Sequence, residues 1–369
     1  MRLTIITPIL PKPCGLASFS AHLATVLVAS GGMQVEAVSV IEAGQERNAG
    51  VIRKDYLGDY AQLARDLNDA RPDIVLLQHE YGIFGGPDGR HVLSLVRGLR
   101  CPLATVLHTV LPHPNPHLRD VTAELVSRSG LVVVMCQSAS NLLRNRYAID
   151  IADVHVLPHG SPVVGPQPRP QPLRGDLSER GPLVVALGLL GPDKGIDTAI
   201  VSMGKVIQHV PGATLCVVGS THPGELEAGV DRYRQHLQSL VRRDGLENTV
   251  LFFNGFLCVE DHVAWIQHAD VVLTLHRDLG QVSSGTLTYA VAAGRAVVST
   301  PFAYARDLAC AGAGVFFTRP DAADAGQVIV DLLIDGQRRA QLMRKSSQLG
   351  PSLTWPQVGA AYRRLLRSL

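Results

Sequence analysis

At 369 residues the chain has the length of two domains rather than one. It is 46% hydrophobic and 18% charged with a net charge of only +2, which supplies ample core and gives no reason to invoke nucleic acid. Aromatics are 5%, so Val, Leu and Ala must fill the interior, as in parallel sheets covered by helices.

The chain enters a short apolar run at residues 3–9, too short for the apolar region of a signal peptide. No apolar run approaches the roughly 18 residues of a spanning helix. The reading is cytoplasmic with no transmembrane segment; peripheral membrane contact and oligomeric state stay open. Cys14, Cys101, Cys136, Cys216, Cys258 and Cys310 are scattered without a C-x-x-C pair and read as reduced core thiols.

Short apolar runs then alternate with helical patterns. Strands are expected at 3–9, 35–41, 73–79, 103–108, 131–135 and 154–157. Between the first two, Leu16, Phe19, Leu23, Val26 and Leu27 recur at helical spacing, and Gly31-Gly32 ends the helix. Residues 161–181 break this rhythm with Pro162, Pro166, Pro168, Pro170 and Pro172, the composition of a semi-rigid connector. The rhythm resumes at 183–187, 213–219, 250–253, 271–275, 296–300 and 315–318. The fold class is therefore α/β: two Rossmann-like, doubly wound domains facing a cleft. Their expected bounds are 1–160, a linker at 161–181, 182–350, and a C-terminal helix at 351–369. In that helix Val358, Ala361, Tyr362 and Leu365 are core-spaced, and Arg363, Arg364 and Arg367 read as a solvated face.

The polar motifs fall at the carboxyl ends of the expected strands, where open α/β sheets bind ligands. Gly15 and Leu16 open the first helix and offer backbone N–H donors. His79, Glu80 and Tyr81 end the third strand before a glycine-rich loop. His108, His113 and His117 follow the fourth, but their spacing is broken by prolines and fits no zinc pattern, so no metal site is assigned. His108, at the strand tip, suits a polar contact to a sugar. In the second half, Gly188 leads to Lys194, a compact cation beside a helix start and suited to a diphosphate. Gly219, Ser220, Phe256 and Leu257 lie in loops that could line a base or ribose. The run from Gln281 to Pro301 is the most informative: a small-residue turn, a helix and a buried strand. Ser283, Ser284, Gly285 and Thr286 leave N–H groups free for a phosphate.

With these motifs in view, the chain resembles family-4 retaining glycosyltransferases of the GT-B fold over nearly its whole length. The carriers are Cys14-Gly15, His108-Thr109, Pro158-His-Gly160, Gly188 with Lys194-Gly195, Asn254-Gly-Phe256, the run from Gln281 to Thr300, and the Trp355 helix, which in that family crosses back to the N-terminal domain. The resemblance implies catalytic roles for His108, Lys194 and Gln281. It implies donor-phosphate contacts from Gly15, Leu16, Gly188, Lys194, Ser283, Ser284, Gly285 and Thr286. Base or ribose contacts would come from Gly219, Ser220, Phe256, Leu257 and Tyr289, and acceptor-side contacts from His79, Glu80 and Tyr81.

The sequence departs from the family pattern in three places. Leu189 stands where an arginine precedes the lysine, and Gln281 and Tyr289 replace the two glutamates of E-x7-E. Gln281 can still bond sugar hydroxyls through its amide; Tyr289 cannot clamp two ribose hydroxyls as a carboxylate would. The expectation is a metal-independent, retaining transfer of a hexose from a nucleotide sugar to a carbohydrate or small-molecule acceptor, with no cofactor. The alternatives are a glycoside phosphorylase using inorganic phosphate at Lys194 and Ser284–Thr286, and a non-catalytic sugar- or nucleotide-binding protein.

Overall fold

The computed structural model describes residues 1–8, 14–42, 50–163, 165–171, 181–226 and 229–369. The chain divides into two compact units: Met1–Gly160 with Gly280–Ser283 and Trp355–Leu369, and Ser161–Leu279 with Ser284–Thr354.

The first unit carries a seven-stranded parallel sheet ordered β3-β2-β1-β4-β5-β6-β7. Its strands are β1 (Arg2–Thr7), β2 (Gln34–Ile41), β3 (Val51–Arg53), β4 (Ile74–His79), β5 (Leu103–Leu107), β6 (Leu131–Val134) and β7 (Val154–Val156). The helices are α1 (Gly15–Ala29), α2 (Leu57–Ala70), α3 (Val92–Gly98), α4 (Pro116–Arg128) and α5 (Gln137–Tyr147). Strands β4, β5 and β6 are buried along their whole length, as parallel strands covered on both faces must be. The chain order reverses between β1 and β4, so the switch point lies where Cys14-Gly15 and His79-Glu80 emerge. Edge strand β3 is not foreseen in the sequence: it has three residues, of which only Ile52 is buried.

The second unit repeats the plan with six parallel strands ordered β10-β9-β8-β11-β12-β13. These are β8 (Leu183–Leu187), β9 (Thr214–Val218), β10 (Val250–Phe253), β11 (Val271–Thr274), β12 (Val297–Ser299) and β13 (Val315–Phe317). The helices are α6 (Ile196–His209), α7 (Arg232–Arg243), α8 (Val259–His268), α9 (Gly285–Ala292), α10 (Ala303–Cys310), α11 (Ala322–Ile334) and α12 (Gly336–Leu349). Val184, Leu215, Ile200, Val271, Ile329 and Leu332 are fully buried in one core between sheet and helices. Here the order reverses between β8 and β11, the strands that precede Lys194 and the Gln281–Thr286 turn. Of the proline-rich segment, 172–180 and 164 lie outside the described residues. The rest has no helix or strand and rests on its own unit, where Gln167 N donates to Gln267 Oε1 at 2.8 Å.

The terminal helix, Trp355–Ser368, packs on α1 within the first unit. Trp355, Val358, Gly359, Tyr362 and Leu366 are its buried positions, Leu365 is only half-buried, and Gly359 seats the helix close against Val26. Arg363 Nη1 donates to Ser30 O at 2.9 Å and so closes the end of α1, a bond the solvated-face reading omits. The cysteines also depart from expectation: Cys136 and Cys216 are buried, but Cys258 and Cys310 are exposed. Among the described residues no helix is long and apolar enough to cross a membrane.

Gly195 is a point of backbone strain. It takes φ +64°, and a Cβ there would lie 2.1 Å from the Leu275 carbonyl oxygen. Gly195→Ala is expected to lower stability by about 2 kcal/mol or more, read as a lower urea midpoint at unchanged slope.

Candidate functional site

In the first unit the switch point gathers Gly15, Gln78, Glu80, His108 and the turn at Gln281–Ser283. Cys14 precedes α1 with extended backbone and no side-chain cap, so the first-turn N–H groups at Gly15 and Leu16 are left without a side-chain acceptor. Gly15 is exposed and nothing stands within 4 Å of where its Cβ would be, so a ligand could approach the backbone closely.

His108 sits just past β5, where its backbone N–H donates to His79 O at 3.0 Å. Its Nε2 lies 2.7 Å from Gln78 Oε1, so the imidazole carries its proton on Nε2 and donates to the amide oxygen. Burial, aided by the charges His159 and His79 would carry, pushes the His108 pKa down to about 3. His108 is thus a neutral imidazole at physiological pH. Phe19 meets it edge to face at 4.8 Å, and Phe19 also meets His159 at 5.1 Å and Trp355 at 4.9 Å. Gly160 is required beside them: a Cβ there would fall 2.3 Å from the Trp355 indole.

Ser283 Oγ donates to His108 O at 3.2 Å, and Gln281 Nε2 donates to Ser283 O at 2.8 Å. One Gln281 N–H is therefore used on its own turn, which leaves the second N–H to donate and Oε1 to accept. Glu80 accepts from Thr109 Oγ1 and from the backbone N–H groups of Tyr81 and Gly82, while burial raises its pKa above the usual carboxylate range.

Two acceptor-side expectations need correction. His79 is fully buried, stacked on Phe84 at 5.8 Å and edge-on to Tyr81 at 5.0 Å, and neither ring nitrogen has a partner. As the last residue of β4 it points into the layer under the sheet edge, where no acceptor can reach. Tyr81 is buried too, and its hydroxyl is shared with Thr122 Oγ1 at 2.6 Å, a packing role. Of that trio Glu80 alone keeps partial exposure.

In the second unit, Gly188 ends β8 with φ +119°, a conformation that favours glycine. Its missing side chain leaves room for Thr286 Oγ1, 3.2 Å from the Cβ position, so the loop after β8 touches the start of α9. Lys194 closes a single 3-10 turn, Pro192–Lys194, directly before α6. It is half-buried and has no ion pair among the described residues; burial lowers its pKa and Asp193 only partly offsets that. Arg277 holds the neighbouring strand end in place, donating N–H to Asp193 O at 2.9 Å and pairing with Asp197. Ser284 caps α9 by accepting from Leu287 N at 3.3 Å, which uses its Oγ internally. Gly285 and Thr286, half-buried in the first turn, have backbone N–H groups that the Ser284 side chain does not cap.

Gly219, Ser220, Phe256 and Leu257 follow β9 and β10. Phe256 is 48% exposed and presents an aromatic ring at the surface. Tyr289 differs from its expected ribose role. It is buried in α9, edge-on to His262 at 5.3 Å, because the helix turns that position toward α8. Sequence reasoning also misses Gln78 and Arg234. Gln78, inside an apolar strand run, bonds His108, and Arg234 carries a polar network of its own. Among the described residues no group of three or more His, Cys, Asp or Glu side chains converges as a metal site would require.

Residues 181–335, which include every one of these second-unit residues, match the family of glycosyl transferases group 1. A search of curated proteins returns no match. Solved structures resemble the chain over its length. HepE of Anabaena in complex with UDP and glucose is 18% identical with a TM-score of 0.77, covering 100% of both chains. Sucrose-phosphate synthase of Thermosynechococcus elongatus is 16% identical with a TM-score of 0.80, covering 100% of this chain and 98% of the other. A trehalose-6-phosphate protein of E. coli bound with UDP-2-fluoro glucose is 13% identical with a TM-score of 0.72, covering 100% and 99%.

The fold is GT-B. In each unit of this GT-B chain, taken by itself, the loop-borne polar residues follow the carboxyl ends of the strands at that sheet's own switch point.

Proposed function

We propose that the chain is a retaining glycosyltransferase that moves a hexose from a nucleoside-diphosphate sugar to a carbohydrate or small-molecule acceptor without a metal ion. The observation that carries the reading is Lys194, a half-buried cation without an ion pair among the described residues, one strand away from the open N–H groups of Gly285 and Thr286. A cation and a helix start on adjacent strand ends suit a diphosphate. The family match over 181–335 and the UDP-bound neighbours HepE and the trehalose-6-phosphate protein support the same ligand class.

Transfer would pass through an oxocarbenium-like sugar and an anionic leaving diphosphate. Lys194 and the α9 N–H groups would hold the developing charge. His108, a neutral imidazole, and Gln281, through Oε1, would bond sugar hydroxyls. Glu80, with Thr109, would orient the acceptor hydroxyl, whose proton would pass to the leaving phosphate oxygen. Gly15 and Leu16 would approach the donor phosphates, and Phe256 and Leu257 would border the base.

A second reading, phosphorolysis of a glycoside, is favoured by one feature: the buried ring of Tyr289 and the aliphatic Leu189 leave the site with fewer polar groups than a nucleotide normally meets. Thermal shift against UDP, GDP, ADP and inorganic phosphate separates the two. The transferase reading expects stabilisation by one nucleoside diphosphate, about 3 kcal/mol at a hundredfold excess over Kd. Response to phosphate alone would support phosphorolysis, and response to none of the four would favour a non-catalytic protein. Transfer should persist in excess chelator; its loss there would refute metal independence.

A further inference from the structure

Arg234 is an arginine on the inner face of α7, only 8% exposed, and its fork joins three segments. Nη2 donates to Gly219 O at 2.7 Å, in the loop after β9. Nη1 donates to Asn254 Oδ1, in the loop after β10. Nε donates to Asp231 Oδ2 at 3.3 Å, and Asp231 is itself fixed by Thr221 Oγ1 at 2.6 Å and by Arg234 N at 2.9 Å as the cap of α7. Gly219 in turn leans on the loop after β8: a Cβ on it would lie 2.0 Å from Gly188 O, and Leu190 N donates to Ser220 O at 2.9 Å. Strands β8, β9 and β10 are neighbours in the sheet, so one buried guanidinium ties together the ends of β9 and β10, and the loop after β8 joins them through Gly219 and Ser220.

Resting on the transferase reading, the geometry points to Arg234 as the positioning residue that sets nucleotide selectivity. It would hold the Gly219–Ser220 and Asn254–Phe256 loops at the separation one nucleobase and ribose require, in register with the Gly188 loop that meets the diphosphate. Arg234 touches no ligand itself. Its planar fork matters, because a lysine offers one nitrogen and cannot reproduce the three bonds that Nε, Nη1 and Nη2 make from separate positions in a fixed plane. A loop pair ordered before the nucleotide arrives spares the cost of ordering it on binding.

The test is titration calorimetry of the wild type, Arg234→Lys, Arg234→Met and Asn254→Ala with UDP, GDP and ADP. The wild type is expected to prefer one nucleotide. Arg234→Lys and Arg234→Met should bind it roughly tenfold more weakly at unchanged stoichiometry, with the spread among the three nucleotides narrowed. Asn254→Ala, at an exposed position, should move in the same direction by less. A purely structural arginine would lower the stoichiometry as protein misfolds and leave Kd and selectivity alone, and that result overturns the assignment. If Arg234→Met does not fold, wild-type affinities in Arg234→Lys and Asn254→Ala overturn it equally. Absence of binding by the wild type to any of the three would defeat the donor reading itself, a result distinct from the others.

Discussion

Lys194→Ala is expected to lower kcat by about 100- to 1000-fold, the scale seen when one preorganised charge stabiliser is removed. The same variant should be as stable as the parent or slightly more so. Both expectations come from one circumstance. The ammonium is half-buried with no ion pair among the described residues, and burial holds its pKa below the usual lysine value. A depressed lysine pKa means that the charge costs stability in the folded protein at neutral pH, and alanine removes that cost. The cost is recovered only when an anion arrives. Lys194→Arg should restore part of the rate, since the charge returns in a different shape. In the parent, the alkaline limb of kcat/KM, which reports the free enzyme, should fall below the pH at which an ordinary lysine titrates. Turnover of the variant with the sugar nucleotide found by thermal shift decides the matter; an unchanged kcat would remove Lys194 from the chemistry.

The first unit is expected to unfold in mild acid before the second. Burial pushes His79 and His108 down to about 3, and His159 and His262 down to about 4. In the unfolded chain each returns to about 6.5. Above that pH all are neutral in both states and cost nothing. As pH falls from about 6.5 toward 3 the unfolded chain takes up protons that the folded chain refuses, so stability falls by about 1.4 kcal/mol per pH unit for each histidine. Three of the four lie in the first unit, giving roughly 4 kcal/mol per pH unit there against about 1.4 in the second. Glu80, whose pKa is raised by burial, opposes this with the effect of one group. Against a typical total of about 5–15 kcal/mol, the first unit should be lost near pH 5. The two tryptophans report on the units separately, Trp355 in the first and Trp265 in the second. Single Trp→Phe variants should therefore show separate acid transitions, with the Trp355 signal changing at the higher pH. Coincident transitions would contradict the assignment of the histidine load.

The sheet architecture was legible because parallel strands covered on both faces are continuous apolar runs. Leu183–Leu187 and Val250–Phe253 can be read to the residue. Edge strand Val51–Arg53 was not legible, because a three-residue strand with one buried side chain has no period to detect. In the site, position along the chain was readable and side-chain direction was not. His79 and Glu80 are adjacent at one strand end, yet the pleat sends the first into the core and leaves the second near the edge. Tyr289 was placed by motif alignment alone, and the helix rotates it inward. Arg234 did leave a signal: it falls in line with Leu237 and Val241, so the helical period puts a charge on an apolar face. A charge in that place calls for buried partners, and the partners were on loops that periodicity cannot connect.

The packing of Trp355 against Phe19, His159 and Gly160 bears on how the chain reaches its native state. Trp355 lies near the end of the sequence, Phe19 near its start and His159 and Gly160 near its middle, and contacts so far apart form late and slowly. At typical synthesis rates the residues between Gly160 and Trp355 take about 10 to 40 s to be added. Throughout that interval the nascent first unit would present an uncovered aromatic hollow beside His108. The hollow is a place for chaperones to hold the chain, and for two unfinished chains to exchange terminal helices.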